Sequence, residues 1–73
     1  MVALLIWACL ATAPTDCRVI QIADGFVADQ QCQAYSLLMV TGWLKLHPGL
    51  QPREGTRPIC TSQAQYLLHR FGA

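Results

Sequence analysis

The sequence predicts a small α+β domain with the element order β-β-α-β-α, formed by residues 1–73 as a single unit. Three observations predict this class: an apolar, strand-forming run opens the chain, a long stretch with helical spacing fills its middle, and four cysteines are spread along it. A domain of this size buries a modest share of its surface, so it usually needs disulfides, a metal or a partner. We therefore expect two layers, in which a hairpin and a third strand pack on one long helix, with two disulfides.

The first two predicted strands form an antiparallel hairpin. Residues 2–10 are rich in strand formers and apolar on both faces, which is typical of a central strand covered on both sides. Residues 12–16, with a proline and an aspartate, predict the turn. Residues 17–23 alternate in part and predict the second strand, which Asp24 and Gly25 end.

Residues 28–47 carry the strongest helical signal. Asp29 lies near the start, where a carboxylate can cap free N–H groups, and Lys45 lies in the last turn, where a cation suits the helix dipole. Pro48 and Gly49 end the helix. The predicted core face recurs at spacings of three and four and comprises Cys32, Tyr35, Met39, Trp43 and Leu46.

The C-terminal part predicts a loop, a short strand and a short helix. Residues 50–55 are the loop, and residues 56–61 form the third strand, which Pro58 confines to a sheet edge or a strand start. Ser62 can cap a final helix over residues 63–71.

A second apolar stripe runs along the long helix, ~100° away from the predicted core face. One sheet can cover only one of the two stripes, so we expect the second to contact a partner, together with apolar residues of the final helix. The expected partner surface comprises Leu37, Val40, Leu44, Leu67 and Phe71.

The geometry of these elements decides between the three possible pairings of four cysteines. Cys9 and Cys17 flank the hairpin turn and can face each other across it. Cys32 lies in the second turn of the helix, at the far end of the hairpin. Its Cα atom is therefore farther from those of Cys9 and Cys17 than the ~6 Å that a disulfide allows. The third strand runs away from the turn and carries Cys60 to that same far end. We therefore predict Cys9–Cys17 and Cys32–Cys60 disulfides.

Two other states of the cysteines stay open. All four could be reduced and buried as small hydrophobic residues, since no export signal is visible. A zinc site is the other alternative, but the chain has no C-x-x-C pair, and neither His47 nor His69 has the spacing of a zinc ligand. We expect no metal and no other cofactor.

The composition indicates a protein that associates with other proteins. Hydrophobic residues make up 53% of the chain and charged residues 12%, about half of the ~25% charged residues in an ordinary globular domain. A small domain has a large surface, which normally needs charges to stay soluble and unassociated. The net charge of +1 provides no basic face for nucleic acid, and Trp7 and Trp43 are expected in the core rather than as stacking platforms for bases.

No residue pattern predicts an enzyme or a site for a small-molecule substrate. A Cys–His nucleophile needs a low-pKa thiol beside a base, whereas His47 and His69 are explained as surface or capping residues. Asp24 and Asp29 are explained by a turn and a cap, and the five glycines form no phosphate-binding loop.

The apolar N-terminus predicts neither a secretory signal nor a membrane span. Residues 11–13 resemble a cleavage site of small residues, but no Lys or Arg precedes the apolar run and Pro14 follows the expected cut. The run is also shorter than the ~20 residues that cross a bilayer.

A spaced pattern of residues runs through most of the chain, namely Cys9-Leu10-Ala11, Pro14, Cys17-Arg18, Cys32, Trp43, His47-Pro48-Gly49 and Cys60. With this pattern, over about residues 4–60, the chain resembles a set of short uncharacterised proteins of alphaproteobacteria and their phages, which share a helix ending in W-x-x-x-H-P-G and a final cysteine. The resemblance implies no activity. This chain departs from the set at Pro58-Ile59, where a Trp is expected, and it adds residues 61–73, as expected of a version docked on a partner.

These observations predict a non-enzymatic structural or interaction protein. The first hypothesis is a small accessory virion protein of a tailed phage, a cement, decoration or tail-associated protein, bound to larger structural subunits or to itself as a homo-oligomer. A virion assembles in a reducing cytosol and is released into an oxidising medium, so disulfides can form without a secretory signal. The alternative is a small interaction protein of the bacterial cell envelope or cytoplasm that self-associates through the same helix.

Overall fold

A computed structural model describes residues 1–72, so Ala73, the last residue of the predicted domain, lies outside the described residues. The predicted α+β class is confirmed, since an antiparallel sheet, two helices and two disulfides form the fold. The elements in chain order are β1 (Val2–Leu10), β2 (Ala13–Phe26), α1 (Asp29–Leu46), β3 (Leu50–Pro52), β4 (Ile59–Thr61) and α2 (Ala64–Phe71).

Strand β1 is the centre of the sheet. β2 pairs antiparallel with one edge of β1, and β3 and β4 share the other edge. β3 lies opposite residues 8–10, near the hairpin turn, and β4 lies opposite residues 3–5, at the far end. The predicted direction of the third strand is therefore confirmed, and it carries Cys60 away from the turn.

The structure corrects the predicted bounds along this second edge. Residues 50–55, predicted as a loop, begin with β3, and the predicted strand 56–61 is reduced to β4. Between them, residues 53–58 leave the sheet opposite Ile6 and Trp7. We call this segment the 53–58 loop. It ends at Pro58, which has no N–H to donate to a sheet ladder.

Strand β2 is longer than the predicted residues 17–23, because it also includes most of the predicted turn and continues to Phe26. The register between β1 and β2 shifts twice near Phe26. One extra residue of β2 lies between the partners of Leu4 and Leu5, and another lies beside Gly25, whose φ is +84°. Glycine adopts this left-handed conformation at no steric cost. A bulge at Gly25 thus lets the strand continue where the sequence predicted its end.

The two helices lie on opposite faces of the sheet, which corrects the predicted two layers to three. Helix α1 packs on the face of β1 that carries Leu4 and Ile6, and α2 packs on the face that carries Leu5. Because β1 is apolar on both faces, each face needs its own cover. The sequence predicted α2 as an element but not the face on which it packs.

Burial is nearly complete at the centre of the sheet. Leu4 and Leu5 of β1 are 0% exposed, and Val19 of β2 is 2% exposed. Fully burying a side chain of this kind stabilises a protein by ~1.5–3 kcal/mol. The central strand pair is therefore a principal source of the hydrophobic stabilisation of this fold.

The helix starts differ from the predicted caps. α1 follows Ala28, which offers no side-chain cap, and Asp29 lies in the first turn. Gln31 reaches back instead, and its Oε1 accepts a hydrogen bond from the N–H of Val27 at 2.8 Å. Likewise, α2 begins without the Ser62 cap.

Both predicted disulfides are confirmed. Cys9 and Cys17 stand directly opposite each other in the β1–β2 pair, with their Cα atoms 4.0 Å apart. Cys32 and Cys60 join α1 to β4, with their Cα atoms 6.0 Å apart. The first bond reinforces two strands that are already paired, whereas the second ties the long helix to the opposite edge of the sheet.

Removing the Cys32–Cys60 bond should cost more stability than removing the Cys9–Cys17 bond. The chain-entropy model gives about 3.6 kcal/mol for the separation of 28 residues and about 2.6 kcal/mol for the separation of 8. In urea denaturation, we expect the Cys32→Ala/Cys60→Ala protein to unfold with a free energy about 1 kcal/mol below that of the Cys9→Ala/Cys17→Ala protein. Equal losses in the two double variants would contradict this expectation.

Candidate functional site

The face of α1 that meets the sheet differs from the predicted core face. Tyr35 and Leu46, both predicted to be in the core, are 51% and 79% exposed. Helical spacing gives the angles between side chains, but it does not say which side of the helix faces the sheet. The side chains of α1 that are buried lie between the two predicted apolar stripes. The core side of α1 comprises Cys32, Met39, Val40, Trp43 and Leu44.

The five residues predicted to face a partner divide into two groups. Val40 is buried in the core between α1 and the sheet, Leu44 is partly buried against that core, and Leu67 of α2 is partly buried against the second core. Leu37 is 76% exposed and Phe71 is 41% exposed. The first three therefore stabilise the domain itself, which corrects their predicted exposure. That Leu37 and Phe71 contact a partner stays a prediction.

A wider apolar surface lies on the side of α1 away from the sheet. Leu38 is 73% exposed and joins Tyr35 and Leu46 there at helical spacing. Gly42 lies between them, with open space around its Cα. We call these four residues the outer α1 face. Single exposed apolar residues are ordinary, but a contiguous set indicates a contact surface. Sequence reasoning missed this face because it assigned two of the four residues to the core.

An apolar groove of about 270 Å³ lies between α1 and the 53–58 loop. This volume is close to the ~300 Å³ at the lower end of protein ligand pockets. Arg57, which is exposed, is the charged residue of its lining. We call this feature the edge groove. Its apolar walls are Ile6, Leu37, Val40, Pro52 and Pro58.

One hydrogen bond to β1 and two within the 53–58 loop fix the loop beside the groove. The N–H of Arg53 donates to the carbonyl oxygen of Trp7 at 2.9 Å. The N–H and the hydroxyl of Thr56 both donate to the carbonyl oxygen of Arg53, at 3.2 and 2.6 Å. Gly55, with φ +82°, turns the chain between them. The groove is therefore preformed, and Pro58 was the one sequence signal that this edge is interrupted.

Trp7 connects the 53–58 loop to α2. Its ring centroid lies 5.3 Å from that of Phe71, and the guanidinium carbon of Arg53 lies 5.4 Å from the Trp7 ring centroid. Both distances fall within the ranges of aromatic and cation–π contacts. The predicted core role of Trp7 is confirmed, since it is partly buried against the α2 core. Its contacts hold the loop and the end of α2 in place relative to each other.

Of the two histidines weighed for catalysis and metal binding, His47 has structural contacts. His47 is the C-cap of α1, its ring stacks on that of Trp43 at a centroid distance of 3.9 Å, and its Nδ1 lies 2.8 Å from the Trp43 carbonyl oxygen. His69 lies in the last turn of α2. Across residues 1–72, no three His, Cys, Asp or Glu side chains are grouped to hold a metal ion. Neither helix within that range has both the length and the apolar content to cross a membrane.

Comparison with known proteins finds no family model that matches the chain, and no curated protein or solved structure that matches it. The resemblance to short alphaproteobacterial and phage proteins therefore stays a prediction. The function has to be argued from the surface of the chain itself.

Leu37→Asp should change stability little, whereas Val40→Asp should unfold much of the population. Leu37 is 76% exposed, so a carboxylate there stays hydrated and the free energy of unfolding should change by no more than about 0.5 kcal/mol. Val40 is 8% exposed, and an unpaired carboxylate at that position should cost about 3 kcal/mol or more. Urea denaturation followed by circular dichroism compares the two. Similar losses would place Leu37 in the core rather than at the surface.

Proposed function

We propose that this chain is a non-enzymatic interaction protein and acts as a small accessory component of a tailed-phage virion. In that role it binds larger structural subunits of the capsid or tail as a cement, decoration or tail-associated protein. The observation that carries the proposal is the apolar surface that remains after both cores are complete, namely the outer α1 face and the edge groove.

The fold does not use the outer α1 face for its own stability. Both faces of β1 are covered by helices, yet Leu38 and Leu46 of the outer α1 face are 73% and 79% exposed. Covering apolar surface stabilises a complex by ~25 cal/mol per Å² before the costs of association are subtracted. A partner that covers these side chains gains that stabilisation, which supports a role in an assembly.

The two apolar features lie on different sides of α1. Leu37 lines the edge groove and Leu38 belongs to the outer α1 face, and consecutive residues of a helix point ~100° apart. A specific protein–protein contact buries ~800 Å² on each partner, which is about one sixth of the 5097 Å² accessible surface of this chain. With charged residues at 12% of the sequence, few charges oppose such a contact.

The disulfides support the virion over an intracellular alternative. Cytosolic proteins seldom keep structural disulfides, whereas a particle that is released from the cell meets an oxidising medium. Both cysteine pairs are bonded in this fold. A self-associating protein of the cell envelope also meets oxidising conditions and is the second candidate.

Native mass spectrometry of the purified chain should give a defined oligomer or a chain that stays soluble only with a larger partner. Reduction should add four hydrogens per chain, because each of the two disulfides takes up two. A well-folded monomer that binds no larger protein at any concentration would overturn the interaction role.

The virion itself is tested by the particles that the host cells release. We expect the chain to sediment with them through a density gradient and to stay in constant ratio to the major capsid or tail proteins in quantitative mass spectrometry. Recovery of the chain in the envelope or the soluble fraction alone would overturn the virion assignment and support the second candidate.

A further inference from the structure

The far end of the hairpin carries an exposed apolar tip flanked by carboxylates. Val27 is 84% exposed and Met1 is 90% exposed. They lie side by side because Val2, which follows Met1, pairs antiparallel with Phe26, which precedes Val27. Asp24 and Asp29, both exposed, lie within three residues of Val27. We call Met1, Asp24, Val27 and Asp29 the acidic tip.

The acidic tip is an ordered feature. The N–H of Val27 donates to Oε1 of Gln31 at 2.8 Å, and Ala28 directly precedes α1 in extended conformation. A side chain held out from an ordered backbone loses little conformational entropy when it docks. Val27 is therefore presented to solvent in a form that a complementary groove can accept.

The edge groove has the opposite charge. Arg57 is the charged residue that lines it, whereas Arg53 lies over the Trp7 ring and, like Glu54, is outside the lining. The groove thus presents one cation, and the acidic tip carries two of the four carboxylates of the chain. Complementary charge of this kind orients an encounter and fixes its register.

We propose that the acidic tip of one copy of this chain docks into the edge groove of a second copy, with Val27 in the groove and Asp24 or Asp29 beside Arg57. This inference rests on the proposed interaction function and names a second copy as the occupant of the groove. The groove volume of about 270 Å³, near the ~300 Å³ of the smallest ligand pockets, leaves room for a side chain as small as that of valine.

The geometry makes this contact a head-to-tail one. The tip follows β2, on one edge of β1, whereas the groove opens on the other edge, at the level of Ile6 and Trp7. From Val2 to Ile6 the strand rises by ~13 Å, so the tip of a copy does not reach its own groove. A contact between two different patches of the same chain is heterologous, and it generates a ring or an open chain of copies.

Two charge variants and their mixture test the proposal in native mass spectrometry and sedimentation. Val27→Asp disables the tip and keeps the groove, and Arg57→Glu disables the groove and keeps the tip. Each variant alone should be monomeric where the native chain associates, with affinity weakened by ~10-fold or more. The equimolar mixture should form a 1:1 heterodimer and nothing longer, because only one intact tip and one intact groove are available.

Tyr66→Asp is the matched control. Tyr66 is 57% exposed, as Val27 is 84% exposed, but it lies on α2 and belongs neither to the groove nor to the outer α1 face. The control variant should associate like the native chain. Leu38→Asp, on the outer α1 face, tests that face as the alternative interface. Circular dichroism confirms that all four variants are folded.

The other outcomes separate this inference from the proposed function. Association that Leu38→Asp abolishes and the two charge variants leave intact overturns the inference but keeps the interaction function, with the outer α1 face as the interface. A native chain that is monomeric yet present in particles overturns the inference and keeps the proposed function. A bound adduct of small-molecule mass that Arg57→Glu removes also overturns it. A monomer that is absent from particles overturns both proposals.

Discussion

The burial of β1 on both of its faces is the constraint on which the rest of the fold depends. Leu4 and Leu5 point to opposite faces and are both fully buried, so one helix has to cover each side. A domain of this size then has two thin cores instead of one thick core, and each can bury only a few side chains. The disulfides supply stability that a larger core would otherwise provide. One of them ties α1, the cover of the first face, to β4.

The second consequence appears at the edge of the same strand. β3 and β4 pair with the two ends of β1 and leave Ile6 and Trp7 in the middle, opposite the 53–58 loop. Because this loop bends away from the sheet, a space remains between it and α1 that the chain does not fill. Trp7 stabilises this arrangement from the other face, through Arg53 and Phe71. The groove is thus a direct result of the interrupted pairing, and it is the concave feature that the proposed self-docking uses.

Helix α1 links the core to the surface proposed for assembly. Its inner side joins the first core and is anchored by Cys32, while its outer side exposes Tyr35, Leu38 and Leu46. An anchored helix presents its outer side chains from a rigid support, which lowers the entropic cost of binding. Low charge and exposed apolar residues on one helix are the physical grounds for the proposed role in an assembly.

The sequence by itself determined the element types, the central position of β1 and the pairing of the cysteines, because local periodicity and strand direction suffice for these. It also indicated an apolar excess. Only the tertiary structure decided that α2 covers the second face of β1, that Val40 is buried while Leu46 is exposed, and that the third strand is split around a groove. Spacing along a helix gives relative angles, whereas the direction of the sheet depends on long-range contacts such as the Cys32–Cys60 bond. For the same reason, no local pattern could place the acidic tip and the edge groove on opposite edges of one sheet.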